Sequence, residues 1–184
     1  MINVLIPLAQ GCEELEAVTL IDLLRRAGVN VITAGLDDQP VIASRGTRLI
    51  PDTSLDKVAQ QEFNMVVLPG GLPGADNLNS DPRIHALLKR TAERGNITAA
   101  ICAAPTVLAN AGLLDGKCAT GYPGFLDKLN LPTTTLRDEA VVVDGRIVTS
   151  KGPGTAMDFA LTLIEILVGK ETRSEVENGL QRPV

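Results

Sequence analysis

The sequence predicts an open α/β sandwich on a mainly parallel sheet, with an antiparallel hairpin near one edge. Three observations carry that expectation. Short β-branched runs alternate with helical patterns along the chain. Two of those runs, Asn64–Leu68 (NMVVL) and Ile97–Ile101 (ITAAI), are almost continuously apolar, as strands covered on both faces must be. Finally, 184 residues with 45% hydrophobic and 21% charged side chains can build one sizeable core. Residues 1–184 are read as a single domain, since no repeat, low-complexity stretch or linker marks a boundary.

In chain order, Ile2–Pro7 reads as a buried strand and Glu13–Ala27 as an amphipathic helix stopped at Gly28. Val29–Gly35 is the second strand. Asp81–Glu93 reads as a helix with an aspartate cap and Pro82 in its first turn. Val141–Val148 (VVVDGRIV) reads as a hairpin, with Asp144-Gly145 as a type I′ turn. Pro153–Val168 is apolar almost all round, broken along one line by Asp158, Thr162 and Glu165, so this helix should be largely covered.

Composition excludes several functions. A net charge of −5 lacks the concentrated positive field that nucleic acid or an anionic membrane requires. No unbroken run of about 18 apolar residues suggests a membrane span. The start, MINVLIPLAQGCEELEA, has no signal-peptide layout. Three cysteines without CxxC spacing make a poor disulfide framework, and a reducing, cytoplasmic setting is expected. One histidine, one tyrosine and no tryptophan leave little for a metal site, a histidine-based triad or base stacking. Neither a metal nor a cofactor is expected.

Sites of open α/β sheets form beyond the carboxyl ends of the strands, here after Pro7, Leu68, Ile101 and Ser150. PGGLPGAD and KGPGTAM follow two of these ends, and neither completes the GxGxxG dinucleotide fingerprint. In AAICAAPTVLANAG, Cys102 falls where a strand gives way to a helix, between Ala99, Ala100, Ala103 and Ala104, with Pro105 suited to the first turn. A sharp strand-to-helix turn around a nucleophile needs such small neighbours, and a helix N-terminus lowers a thiol's pKa. A small buried hydrophobe is the alternative reading of Cys102. Cys118, in KCATGY, reads as buried and inert, whereas Cys12, after Gly11, reads as accessible but unmarked for catalysis.

Glu16 lies four residues before Leu20 and seven before Leu23, within the apolar stripe of the first helix. A carboxylate there needs a partner or keeps its proton. It either reaches out to solvent at the first turn or points into a pocket at the sheet edge, where it would meet Cys102. His85, inside the Asp81–Glu93 helix, reads as a surface or packing residue, which argues against a cysteine protease or an amidotransferase.

GCEELEAVTLIDLLRRAG, VVLPGG, AAICAAPTVLA and SKGPGTAMDFAL resemble the DJ-1/ThiJ/PfpI superfamily, in its DJ-1/YajL-like branch, from Val4 to about Gly169. The resemblance implies a flavodoxin-like three-layer sandwich of the class I glutamine-amidotransferase type. It also implies a homodimer and a reactive cysteine beside a protonated glutamate. By motif these are Cys102 and Glu16, with Gly71 and Ala103 supplying backbone N–H groups to the thiol or an oxyanion. Where some members carry a histidine near the cysteine, ATGYPGFLDKL carries Tyr122, an accessory hydroxyl at most. The activities implied are oxidative-stress protection, glyoxalase III or deglycase action on small α-oxoaldehydes and glycated thiols or amines, and chaperoning. Oxidation of Cys102 to a sulfinate is the alternative to catalysis. In the implied dimer the first helix lies at the two-fold interface, with Asp22, Arg25, Arg26 and the nearby Arg45 expected to pair across it.

Overall fold

The computed structural model describes residues 1–182. The chain runs β1 (Asn3–Leu8), α1 (Glu14–Arg26), β2 (Asn30–Gly35), β3 (Val41–Ile42), β4 (Arg48–Leu49), β5 (Thr53–Ser54) and α2 (Leu55–Val58). It continues through β6 (Met65–Leu68), α3 (Gly74–Ser80), α4 (Pro82–Glu93), β7 (Ile97–Ile101), α5 (Pro105–Asn110), β8 (Cys118–Ala119) and β9 (Thr135–Leu136). It ends with β10 (Val141–Asp144), β11 (Ile147–Ser150), α6 (Ala156–Val168) and α7 (Lys170–Gly179). Seven strands form one sheet in the order β10-β11-β7-β6-β1-β2-β5, parallel except for β10.

Alternation along the strands divides the core between two faces. Val4, Ile6, Met65, Val67 and Ala99 point to α1 and α6, against Leu20, Leu24, Phe159 and Leu163. Leu5, Val66, Leu68 and Ala100 point to α4 and α5, against Leu87, Leu88, Val107 and Leu108. Helices on both faces of a parallel sheet make the three-layer, flavodoxin-like sandwich that the sequence predicts. The strand order turns back at β1, which pairs with β2 on one side and β6 on the other. A crevice therefore opens beyond their carboxyl ends.

Local chemistry sets the element boundaries. The Asp81 side chain accepts the Arg83 N–H at 2.9 Å and starts α4 one residue before Pro82. The hairpin corrects one expectation. Asp144 still pairs with Ile147, so the two-residue loop is Gly145-Arg146, not Asp144-Gly145. Only Gly145 has positive φ there, +63°, which is the pattern of a type II′ turn with glycine first. Asp144 is occupied elsewhere: its carboxylate accepts the Cys118 N–H at 2.8 Å.

Candidate active site

Three strand ends build the site. After β7, Cys102 takes φ +65° while its N–H still donates to Ser150 O at 3.0 Å, extending the ladder to β11. A non-glycine residue held there costs roughly 1–2 kcal/mol, and the neighbours make it tolerable by being small. After β6, a Cβ on Gly70 would stand 2.7 Å from Cys102 Cβ and 2.8 Å from Ile101 O. Only a bare backbone can approach the thiol so closely. Gly71 has φ +86°, and its N–H, with that of Ala103, faces the Cys102 sulfur. After β1, α1 carries Glu16 inward on the same stripe as Ala17, Leu20, Leu23 and Leu24.

Glu16 is fully buried. Its Oε2 accepts the Gly70 N–H at 2.8 Å, and its Oε1 has no hydrogen-bond partner of good geometry. Burial pushes its pKa up to about 7, against the opposing pull of the Gly70 N–H and the Cys102 thiol. Burial and the neighbouring Glu16 charge push the Cys102 thiol up as well, to about 12, opposed by the Gly71 and Ala103 N–H groups. This differs from the low thiol pKa expected of a helix N-terminus. The physical reason is that Cys102 is only 9% exposed, a carboxyl sits beside it, and α5 has six residues. The two groups titrate as one coupled unit, losing a first proton near neutrality and holding the second far above it.

A cavity of about 250 Å³ opens above the sulfur, walled by Gly71, Ala103, Tyr122 and Phe125 and rimmed by Glu13, Ser44 and Arg45. Tyr122 touches the nucleophile through its backbone, donating its N–H to Cys102 O at 2.8 Å. Its ring, 47% exposed, stands edge-on to Phe125 at 6.0 Å and lies over Gly152. Sequence reasoning missed Glu13, Ser44, Phe125 and Pro153 as lining residues. Only Glu13, flanking the first helix, left a signal that could have been read.

The other thiols exchange the roles expected of them. Cys12 is fully buried, and desolvation with the Glu14 charge lifts its pKa to about 12. Cys118 is half-buried, with the Arg137 guanidinium 3.9 Å from its sulfur. A contact 62 residues away in sequence closes Cys12 off: a Cβ on Gly74 would fall 2.6 Å from its Cα. His85 lies away from the site, and its Nε2 is 2.7 Å from Asn79 O. The charges of α1 are satisfied within the chain, Asp22 by Arg26 and Arg25 by Asp52. Of the four charged residues expected to pair across a dimer, only Arg45 has no oppositely charged partner among the described residues.

The model of the DJ-1/PfpI family matches residues 2–166. Protein DJ-1 homolog A of Arabidopsis thaliana is 46% identical over 180 residues; these are 97% of this chain but 46% of that protein, so the chain spans about half of that relative. Protein dj-1beta of Drosophila melanogaster is 45% identical over 179 residues, covering 97% of this chain and 96% of the relative. Its crystal structure superposes with a TM-score of 0.93, covering 100% of this chain and 99% of that one. The structure titled Toxoplasma gondii DJ-1, oxidized, gives 0.94 at 38% identity, with both chains fully covered. The glutathione-independent glyoxalase DJR-1.2 of Caenorhabditis elegans is 37% identical over 95% of this chain and 91% of its own length. An elbow cysteine, a buried glutamate on the first helix and a glycine loop over the thiol thus stand in a chain that belongs to the DJ-1/PfpI family.

Proposed function

We propose that the chain is a cofactor-free, cysteine-dependent enzyme of carbonyl stress, acting on small α-oxoaldehydes and their early adducts with thiols or amines. The observation that carries this reading is the pairing of an elbow thiol, faced by two backbone N–H groups, with a buried carboxyl whose Oε1 is unpartnered. The kinship with a relative named as a glutathione-independent glyoxalase supports it.

In the reaction, the Cys102 sulfur bonds to the aldehyde carbon while the thiol proton passes through Glu16 to the new oxygen. Glu16 as carboxylate then takes the proton from that carbon and protonates the neighbouring ketone oxygen. The resulting enediol regains a proton on the adjacent carbon and becomes an acyl thioester. Water cleaves the thioester to a 2-hydroxy acid and regenerates the thiol. The sum is substrate plus one water, and the oxidation of one carbon balances the reduction of its neighbour. The Gly71 and Ala103 N–H groups hold the sulfur and the oxyanion. With an adduct, Glu16 first moves the proton between the two carbons, turning the hemithioacetal or hemiaminal into a 2-hydroxyacyl thioester or amide. Cys102 then attacks that acyl carbon, and the carrier thiol or amine leaves with the thiol proton. The Tyr122 hydroxyl is an accessory donor at most.

Methylglyoxal turnover without glutathione tests this, with Cys102→Ala as control. Wild-type turnover abolished by that change is expected; equal turnover by both proteins would overturn the reading. A second reading, protection through oxidation of Cys102 to a sulfinate, is favoured by the same N–H groups, which suit an anion, and by a relative solved in an oxidised form. Chaperone action would be its outlet. Three free thiols suit a reducing, cytoplasmic setting. Members of this family are commonly dimeric, and α1 leaves Leu15 and Val18 exposed on one face for such a contact. No helix among the described residues is long and apolar enough to cross a membrane.

A further inference from the structure

The rim of the Cys102 cavity carries two opposite charges that the fold leaves unspent. Glu13, the residue before α1, accepts the Ser44 hydroxyl at 2.9 Å and faces no cation within ion-pair reach among the described residues. Arg45 is exposed, and its guanidinium makes only a long 3.4 Å contact with Ser44 O. Both groups line the cavity above the thiol. Each touches Ser44, and no ion pair joins the two among the described residues.

Their supports are fixed. Ser44 N–H donates to Cys12 O at 2.8 Å, and both Glu14 carboxylate oxygens accept the Arg45 N–H at 3.1 Å. Glu14 also takes the Ser44 hydroxyl at 3.1 Å. One hydroxyl proton cannot satisfy two carboxylates. Glu14 has backbone donors besides and stays ionised, held at about 2 by the N–H groups of Glu14 and Arg45 and the Thr47 and Ser44 hydroxyls against some desolvation. Glu13 is the carboxylate left short of donors. A carboxylate short of donors and a guanidinium without an acid, on the rim of one cavity, complement an ammonium and a carboxylate borne by one carbon. A cavity of about 250 Å³ has room for a small ligand.

We propose that Glu13 and Arg45 read the zwitterionic head of a free amino acid, so that the preferred substrate is the α-oxoaldehyde adduct of an amino-acid thiol. Glu13 takes the ammonium and Arg45 the carboxylate. The side-chain sulfur then carries the adduct carbon down to Cys102. Peptide-bound or N-blocked thiols lack one of the two charges and bind less well. The substrate assignment rests on the proposed carbonyl chemistry, whereas the binding does not.

Protection of Cys102 from iodoacetamide, followed by peptide mass mapping, tests the rim without any turnover. The probes are S-(2-hydroxypropyl)-L-cysteine, its N-acetyl derivative and S-(2-hydroxypropyl)cysteamine, which lacks the carboxylate. In the wild-type protein the zwitterion is expected to half-protect at a concentration at least tenfold below either analogue. Glu13→Gln should erase its advantage over the N-acetyl compound, and Arg45→Gln its advantage over the cysteamine. Equal protection of the wild-type protein by all three probes would overturn the proposal, and that arm needs no variant to fold. Retained discrimination in both variants would overturn it too. Methylglyoxal turnover, measured separately, reports on the carbonyl chemistry, so failure of one reading is not mistaken for failure of the other.

Discussion

At the scale of single residues, Glu16 and Cys102 share protons that neither holds alone. Glu16→Gln keeps an acceptor for the Gly70 N–H but can neither take nor give the proton of the reacting carbon. Turnover should fall by about 10²–10⁴-fold, the usual worth of a positioned acid–base group. Wild-type activity should rise with pH through about 7 as the pair loses its first proton, and initial rates across pH 5–9 check both points. Gly70→Ala should displace Cys102, because its Cβ cannot stand 2.7 Å from the cysteine's own; loss of iodoacetamide reactivity at Cys102 in a folded variant is the expected result. Under graded peroxide, peptide mapping should find two added oxygens on Cys102, some change at half-buried Cys118, and none at buried Cys12. Cys102 was legible in the sequence through its small neighbours, and Glu16 through its place on a helical stripe. Both signals are local. The burial of Cys12 and the convergence of Glu13, Ser44 and Arg45 were not legible, because they depend on loops from distant strands meeting over the first helix.

At the scale of elements, the main strands and helices were legible because their periodicity follows from what covers them. The two-residue strands β3, β4, β5 and β9 were not, since they exist only through their partners. The hairpin was legible but its turn was shifted by one residue, because the Asp144 carboxylate is drawn to the Cys118 N–H. The start of α4 rests on a cap that can be removed: Asp81→Ala should lower stability by about 1 kcal/mol. That change also removes one acceptor of the Arg83 guanidinium, which keeps Asp56 and Leu36 O. Urea denaturation followed by circular dichroism reads the shift.

At the scale of the whole molecule, the buried carboxyl should set how stability depends on pH. Glu16 is protonated in both folded and unfolded chains below 4.5, whereas between there and about 7 only the unfolded chain ionises it freely. Its contribution is therefore fully present below 4.5 and is lost as pH rises to about 7, by about 3 kcal/mol. Glu16→Gln should flatten that slope in melts recorded from pH 4 to 8. For the assembly, exposed Leu15 and Val18 are the groups to charge, since Asp22, Arg25 and Arg26 of α1 are already paired within the chain. The wild-type protein should sediment as a dimer, and the Leu15→Glu, Val18→Glu variant as a monomer.

The backbone of Cys102 is tied at both ends, its N–H to Ser150 and its carbonyl to Tyr122. Such an amide exchanges with solvent only through large-scale opening, so it should rank among the slowest in a hydrogen-exchange experiment. The thiol is then never delivered to solvent by the fraying of a loop. An electrophile too bulky for the cavity mouth waits for unfolding, while a small one can reach the sulfur through that mouth in the folded protein. Discrimination between them is built into the walls and would persist on warming up to the melting transition.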